Sequence, residues 1–203
     1  MTVSSTKLTV MVPLHLQNEV IHPEGLIQAG FGKDDARRET FLSGARRALE
    51  FAFGAEIPIV HVRMAFSTDG SDLPENCELY RSVKKRGVMK EGSWGAEFYD
   101  GLGPRDHRDK VVSHNRVNAF YDSELASTLS ALQCTHLMMF GVATHSVVEH
   151  SARHAVDMGY AVTIIEDACS ANPPERHHHS LASIGNLVTL TQSSLLGLTD
   201  ESD

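Results

Sequence analysis

A three-layer α/β fold, with a mostly parallel six-stranded sheet flanked by helices, is the architecture that this 203-residue sequence predicts. Three observations carry the prediction. Short runs recur that are apolar at successive positions, as strands buried on both faces must be. Longer stretches with apolar residues at helical spacing alternate with them. The strand–helix order repeats along the chain, and right-handed crossovers turn that order into a parallel sheet covered on both sides.

Residues 8–14 (LTVMVPL) form the first apolar run. Pro13, near its end, predicts that the last residues of this strand have left the ladder. A polar, glycine-containing stretch follows to about residue 35. Residues 38–55 then place Phe41, Ala45, Ala48, Leu49 and Ala52 on one helical face, and residues 57–62 read as the second strand. From 63 to 110 the periodicity is lost in a segment rich in Gly, Pro, Asp and Arg. Loops this long in compact domains are mostly functional or part of an interface. Residues 110–113 supply a short strand, and 122–133 a helix with Leu125, Leu129 and Leu132 inward. The fourth strand, 136–140, ends at Gly141. A helix over 144–158, a strand over 161–166 and a helix over 174–184 follow. Residues 187–190 give the last strand, before a terminal helix near 193–196. The chain, 1–203, reads as one domain. Ligands of such sheets sit beyond the carboxyl ends of the strands, which singles out His15, Arg63, His114 and residues 141–148.

Composition narrows the partners. There are 18 Lys+Arg against 26 Asp+Glu, a net charge of −8, and the densest basic run is only Lys84-Lys85-Arg86. Neither nucleic acid nor an anionic membrane is therefore an expected partner. No apolar run approaches the ~18–20 residues of a membrane span. Residues 1–6 are polar and too short for a signal peptide. Cys77, Cys134 and Cys169 are widely spaced with no C-x-x-C pair, so reduced thiols and a cytoplasmic setting are expected, with no cofactor and no metal. Histidine, at 12 residues, is the one unusual count.

Six segments then fall in a recognisable order. They are His15-Leu16-Gln17-Asn18-Glu19-Val20 after the first strand, Ile59-Val60-His61-Val62-Arg63 as the second, and Gly92-Ser93-Trp94-Gly95-Ala96-Glu97 in the long segment. His114-Asn115-Arg116-Val117-Asn118-Ala119-Phe120 comes next, then the turn from Gly141 to Arg153 (GVATHSVVEHSAR). The last is Asp167-Ala168-Cys169-Ser170-Ala171 with Glu175-Arg176-His177. Together they resemble the isochorismatase-like cysteine hydrolases, over most of the chain. The resemblance implies a Rossmann-like α/β fold, a cis peptide at Val142–Ala143, and a small polar or aromatic metabolite as substrate. It also implies a homo-oligomer, dimer or tetramer. Its pocket would be lined by Gln17, Trp94, Arg116 and Phe120, with Val142, Ala143, Thr144, His145 and Val147 from the turn.

In typical members an Asp acts as base, a Lys stabilises charge and a Cys attacks an amide carbonyl. Here those positions hold His15, His114 and Val147. A valine has no nucleophilic atom, so the acyl-enzyme route is closed at that position. His15 and His114 replace an anion and a cation with two groups that titrate near pH 6.5. They read as an imidazole pair serving acid–base catalysis, as metal ligands with His61, His145, Glu149 or His150, or as the filling of a decayed pocket. The first hypothesis is accordingly a hydrolase working without a covalent intermediate. The alternative is a catalytically silent protein that binds a small molecule or serves as an oligomer subunit. His177 reads as structural, and Cys169 as a buried thiol without catalytic duty.

Overall fold

The computed structural model describes residues 8–198; residues 1–6, considered above as a leader, lie outside it. Six strands, β1 (Thr9–Leu14), β2 (Val60–Met64), β3 (Lys110–His114), β4 (His136–Val142), β5 (Ala161–Ser170) and β6 (Thr189–Thr191), form one sheet in the order β3-β2-β1-β4-β5-β6. Every pairing is parallel. The chain builds outward from β1 to β3, returns to add β4 beside β1, and then builds the other way. Opposite directions of travel with right-handed crossovers put α2 (Arg37–Gly54) and α5 (Glu149–Asp157) on opposite faces. The reversal between β1 and β4 is the switch point at which such sheets open a crevice.

The central strands form because Val10, Met11, Val12 and Leu14 of β1, with Leu137, Met139 and Phe140 of β4, are buried on both faces. Contrary to the expectation from Pro13, β1 stays paired to its end, with Pro13 opposite Phe140 and Leu14 opposite Gly141. The proline takes effect on the other edge. Met11 N donates to Pro58 O (2.9 Å) and His15 N to Val62 O (2.8 Å). Pro13, the residue between them facing β2, has no N–H to give. The gap in the β1–β2 ladder is thus one missing donor wide.

Other boundaries shift for physical reasons. The segment 63–110, read as irregular, contains α3 (Glu78–Arg86), which buries only Tyr80 and Val83. It ends on Gly87 in the left-handed conformation, with Lys84, Lys85 and Arg86 in the last turn where cations suit the helix dipole. The predicted helix 144–158 begins as a π-helical turn, Thr144–Val148, before α5. The remaining helices are α1 (Asn18–Ile21), α4 (Leu125–Ala131) and α6 (Pro174–Ile184), and the terminal helix is a single 3-10 turn, Ser193–Leu195. β5 continues to Ser170 because its register to β4 shifts between Met139 and Gly141. Among the described residues no helix is long and apolar enough to cross a membrane.

Candidate functional site

The crevice between β1 and β4 is framed by two unusual pieces of backbone. His15, the first residue after β1, has φ 55°. Few side chains accept this left-handed region, but Asp, Asn and His are enriched there, so a histidine can stand where an aspartate would without a new turn. Gly141, near the end of β4, has φ 136°, and a Cβ there would lie 2.0 Å from Leu14 O. Only glycine lets the two strands approach this closely. The Val142–Ala143 peptide that follows is cis, as the resemblance implies.

His114 ends β3, in register with Met64 at the end of β2. It reaches over that strand end to His15, placing the two Nε2 atoms 2.5 Å apart with ring centroids separated by 4.8 Å. Such a bond needs one protonated and one bare nitrogen, so the two Nε2 atoms hold a single proton between them. Both rings are almost wholly buried. Burial, followed by the neighbouring His114, holds His15 well below the usual imidazole range, against a hydrogen bond that the ring donates to the Val142 backbone. Burial brings His114 down to about 4, with the Asn118 backbone opposing. Near neutrality the pair is therefore uncharged.

A chamber of about 70 Å³ opens beside His15, walled chiefly by Val20, Met64, Tyr80, Met89, Val142 and Val147, with Ala143 also lining it. His114 backs His15 and does not reach the wall. Of the nine residues expected to line the pocket, Val142, Ala143 and Val147 do line this chamber, and His145 lines an outer cleft that continues from it.

The other five are placed differently. Gln17 is fully buried, and its amide is used by the backbone: Nε2 donates to Met64 O and Ala96 O, and Oε1 accepts from Met64 N, each at 2.8 Å. It ties the ends of β1 and β2 to the turn Trp94–Ala96. Trp94 lies outside the chamber, 47% exposed, with His22 edge-on at 5.0 Å. Arg116 turns to Asp72 O and Asn115 and lines a separate shallow depression with Tyr121. Phe120 packs in the core against His154 and Tyr160. Thr144 is fully buried, its hydroxyl paired with His177 Nδ1 at 2.8 Å, which gives His177 a structural role.

Sequence reasoning missed Met64, Tyr80, Val83 and Met89. The one available signal was Tyr80 and Val83 at i, i+3 ahead of a glycine. Of the additional metal-ligand candidates, His61 packs edge-on to Phe98 with Asp109 at 3.6 Å, while Glu149, held by Arg153 and Ser180, lines the outer cleft with His145 and His150. Cys169 is buried, and burial pushes its thiol up to about 12.

An isochorismatase domain model matches residues 9–194. The chain belongs to the isochorismatase family. Its curated relatives include a probable inactive nicotinamidase of Arabidopsis thaliana, 28% identical over 184 residues and covering 88% of this chain and 89% of the relative. A ureidoacrylate amidohydrolase of Methylobacterium radiotolerans is 27% identical over 190 residues, 87% of this chain and 72% of that one. Among solved structures, an isochorismatase family protein from Desulfovibrio vulgaris superposes with a TM-score of 0.82 at 21% identity, covering 94% of this chain and 96% of the other. A cysteine hydrolase from Pseudomonas syringae does so at 0.81 and 20%, covering 92% and 89%. These likenesses establish the isochorismatase fold; at such identity they do not carry an activity across.

Proposed function

We propose that this isochorismatase-family chain is a non-covalent binder of a small molecule and has given up hydrolysis through an acyl intermediate. One observation supports this most: the Nε2 atoms of His15 and His114 are closed on each other at 2.5 Å, leaving no space between them for a water or a substrate atom. Val147 stands at the nucleophile position, and the chamber walls are mostly aliphatic, so the chamber favours apolar matter over a polar amide. The reading makes the pair a neutral hydrogen-bonding floor. A thermal-shift screen of metabolites tests it. Ligands should raise the unfolding temperature of the wild type through linkage and fail to do so with Val147→Phe, which fills the chamber. No amide or ester should be turned over faster than by His15→Ala.

A second reading is favoured by one feature, that His15 lines the chamber while His114 stands behind it in the manner of an orienting partner. The pair would then move a proton to or from a bound metabolite, a contribution of roughly 10²–10⁴-fold. Turnover abolished by both His15→Ala and His114→Ala would establish this reading and overturn the first.

A further inference from the structure

The chamber widens into an outer cleft of about 630 Å³, with which it shares Ile27, Leu79, Val83 and Val117. On a chain carrying −8, the polar lining of this cleft has the opposite bias. Three guanidinium groups, of Arg86, Arg153 and Arg176, face a single carboxylate, Glu149. That carboxylate is already satisfied: Oε1 accepts from Arg153 Nη2 at 2.8 Å, and Oε2 from Ser180 Oγ at 2.7 Å. Arg86 bonds a carbonyl, Leu26 O, which does not neutralise it. Arg176 is exposed and makes no side-chain ion pair or hydrogen bond among the described residues. His145 also lines this cleft, with its Nδ1 buried and without a hydrogen-bond partner. Two cations without a carboxylate partner thus line the outer cleft into which the apolar chamber opens.

Building on the small-molecule reading above, we infer that the ligand is an amphipathic acid. Its compact apolar body would fill the chamber beside Val147, and its carboxylate would be received at the mouth by Arg176, with Arg86 across the cleft. A guanidinium meets a carboxylate through two parallel N–H donors, a geometry that a neutral amide cannot match with equal strength. Such recognition would discriminate between two molecules of the same shape that differ only in charge.

Benzoate and benzamide make that comparison, titrated by calorimetry into the whole protein. Benzoate should bind at least about tenfold more tightly than benzamide, and its affinity should fall as salt is raised. Arg176→Ala should lower benzoate affinity about tenfold and leave benzamide unchanged, since a charge-assisted hydrogen bond is worth about that factor. Arg176 is exposed, so its removal reads recognition and not folding. Equal binding of the two probes, no binding of either, or an unaltered benzoate affinity in Arg176→Ala would overturn the carboxylate assignment. The underlying reading fails separately, if Val147→Phe retains the wild-type affinity for both probes while unfolding cooperatively.

Discussion

His15 and Gly141 show how single residues hold the crevice open. The first accepts a left-handed backbone with an imidazole that can bear it; the second removes a Cβ where Leu14 O would stand 2.0 Å away. Replacing Gly141 by alanine should therefore cost more than the loss of conformational freedom alone. We expect a destabilisation of at least about 2 kcal/mol, of the size typical for overpacking and for a side chain at positive φ. Urea unfolding measures it, and a variant within about 0.5 kcal/mol of the wild type, the usual effect of a surface substitution, would show that β1 and β4 can part at little cost.

Among elements, the ends of β1, β2 and the turn Trp94–Ala96 depend on one amide. Gln17→Leu keeps the volume and leaves Met64 N, Met64 O and Ala96 O to find other partners. Buried groups left unsatisfied cost about 1–3 kcal/mol each, so a loss of about 3 kcal/mol is expected by denaturant titration. Gln17→Glu should recover little, because a carboxylate cannot donate to the two carbonyls. This element also shows where sequence reading stopped. Strands β1 and β4 were legible because both their faces are apolar, and the six ordered motifs located the crevice. A motif states where a residue lies along the chain, not which way its side chain turns, so Gln17, Arg116 and Phe120 fall in pocket motifs although backbone or core claims them. Helix α3 stayed hidden because two buried residues in nine leave almost no periodic signal, and Tyr80 and Val83 of the chamber went with it.

For the whole molecule, the buried histidines set a pH dependence. His61 and His114 are each held down to about 4 by burial, and His15 is lowered by the same cause. The folded chain therefore binds fewer protons than the unfolded chain from the ordinary imidazole value near 6.5 down to about 4. Stability is at its full level above that window and is lost as pH falls through it, by about 1.4 kcal/mol per pH unit for each such group. Unfolding free energy measured from pH 7 to 4 should fall accordingly, and His114→Asn should flatten the slope by about one proton. An unchanged slope in that variant would mean that His114 is not held neutral by the fold.

The placement of Trp94 has a practical consequence for such measurements. It is the chain's only tryptophan, it stands edge-on to His22, and Asn18 Nδ2 donates to its carbonyl at 2.9 Å, yet it lines neither the chamber nor the outer cleft. Its emission comes from one fluorophore anchored to α1, so a change in that signal reports loss of the fold, while occupancy of the chamber leaves the signal unchanged. Trp94 emission can therefore follow unfolding in the presence of a ligand without a contribution from the binding itself.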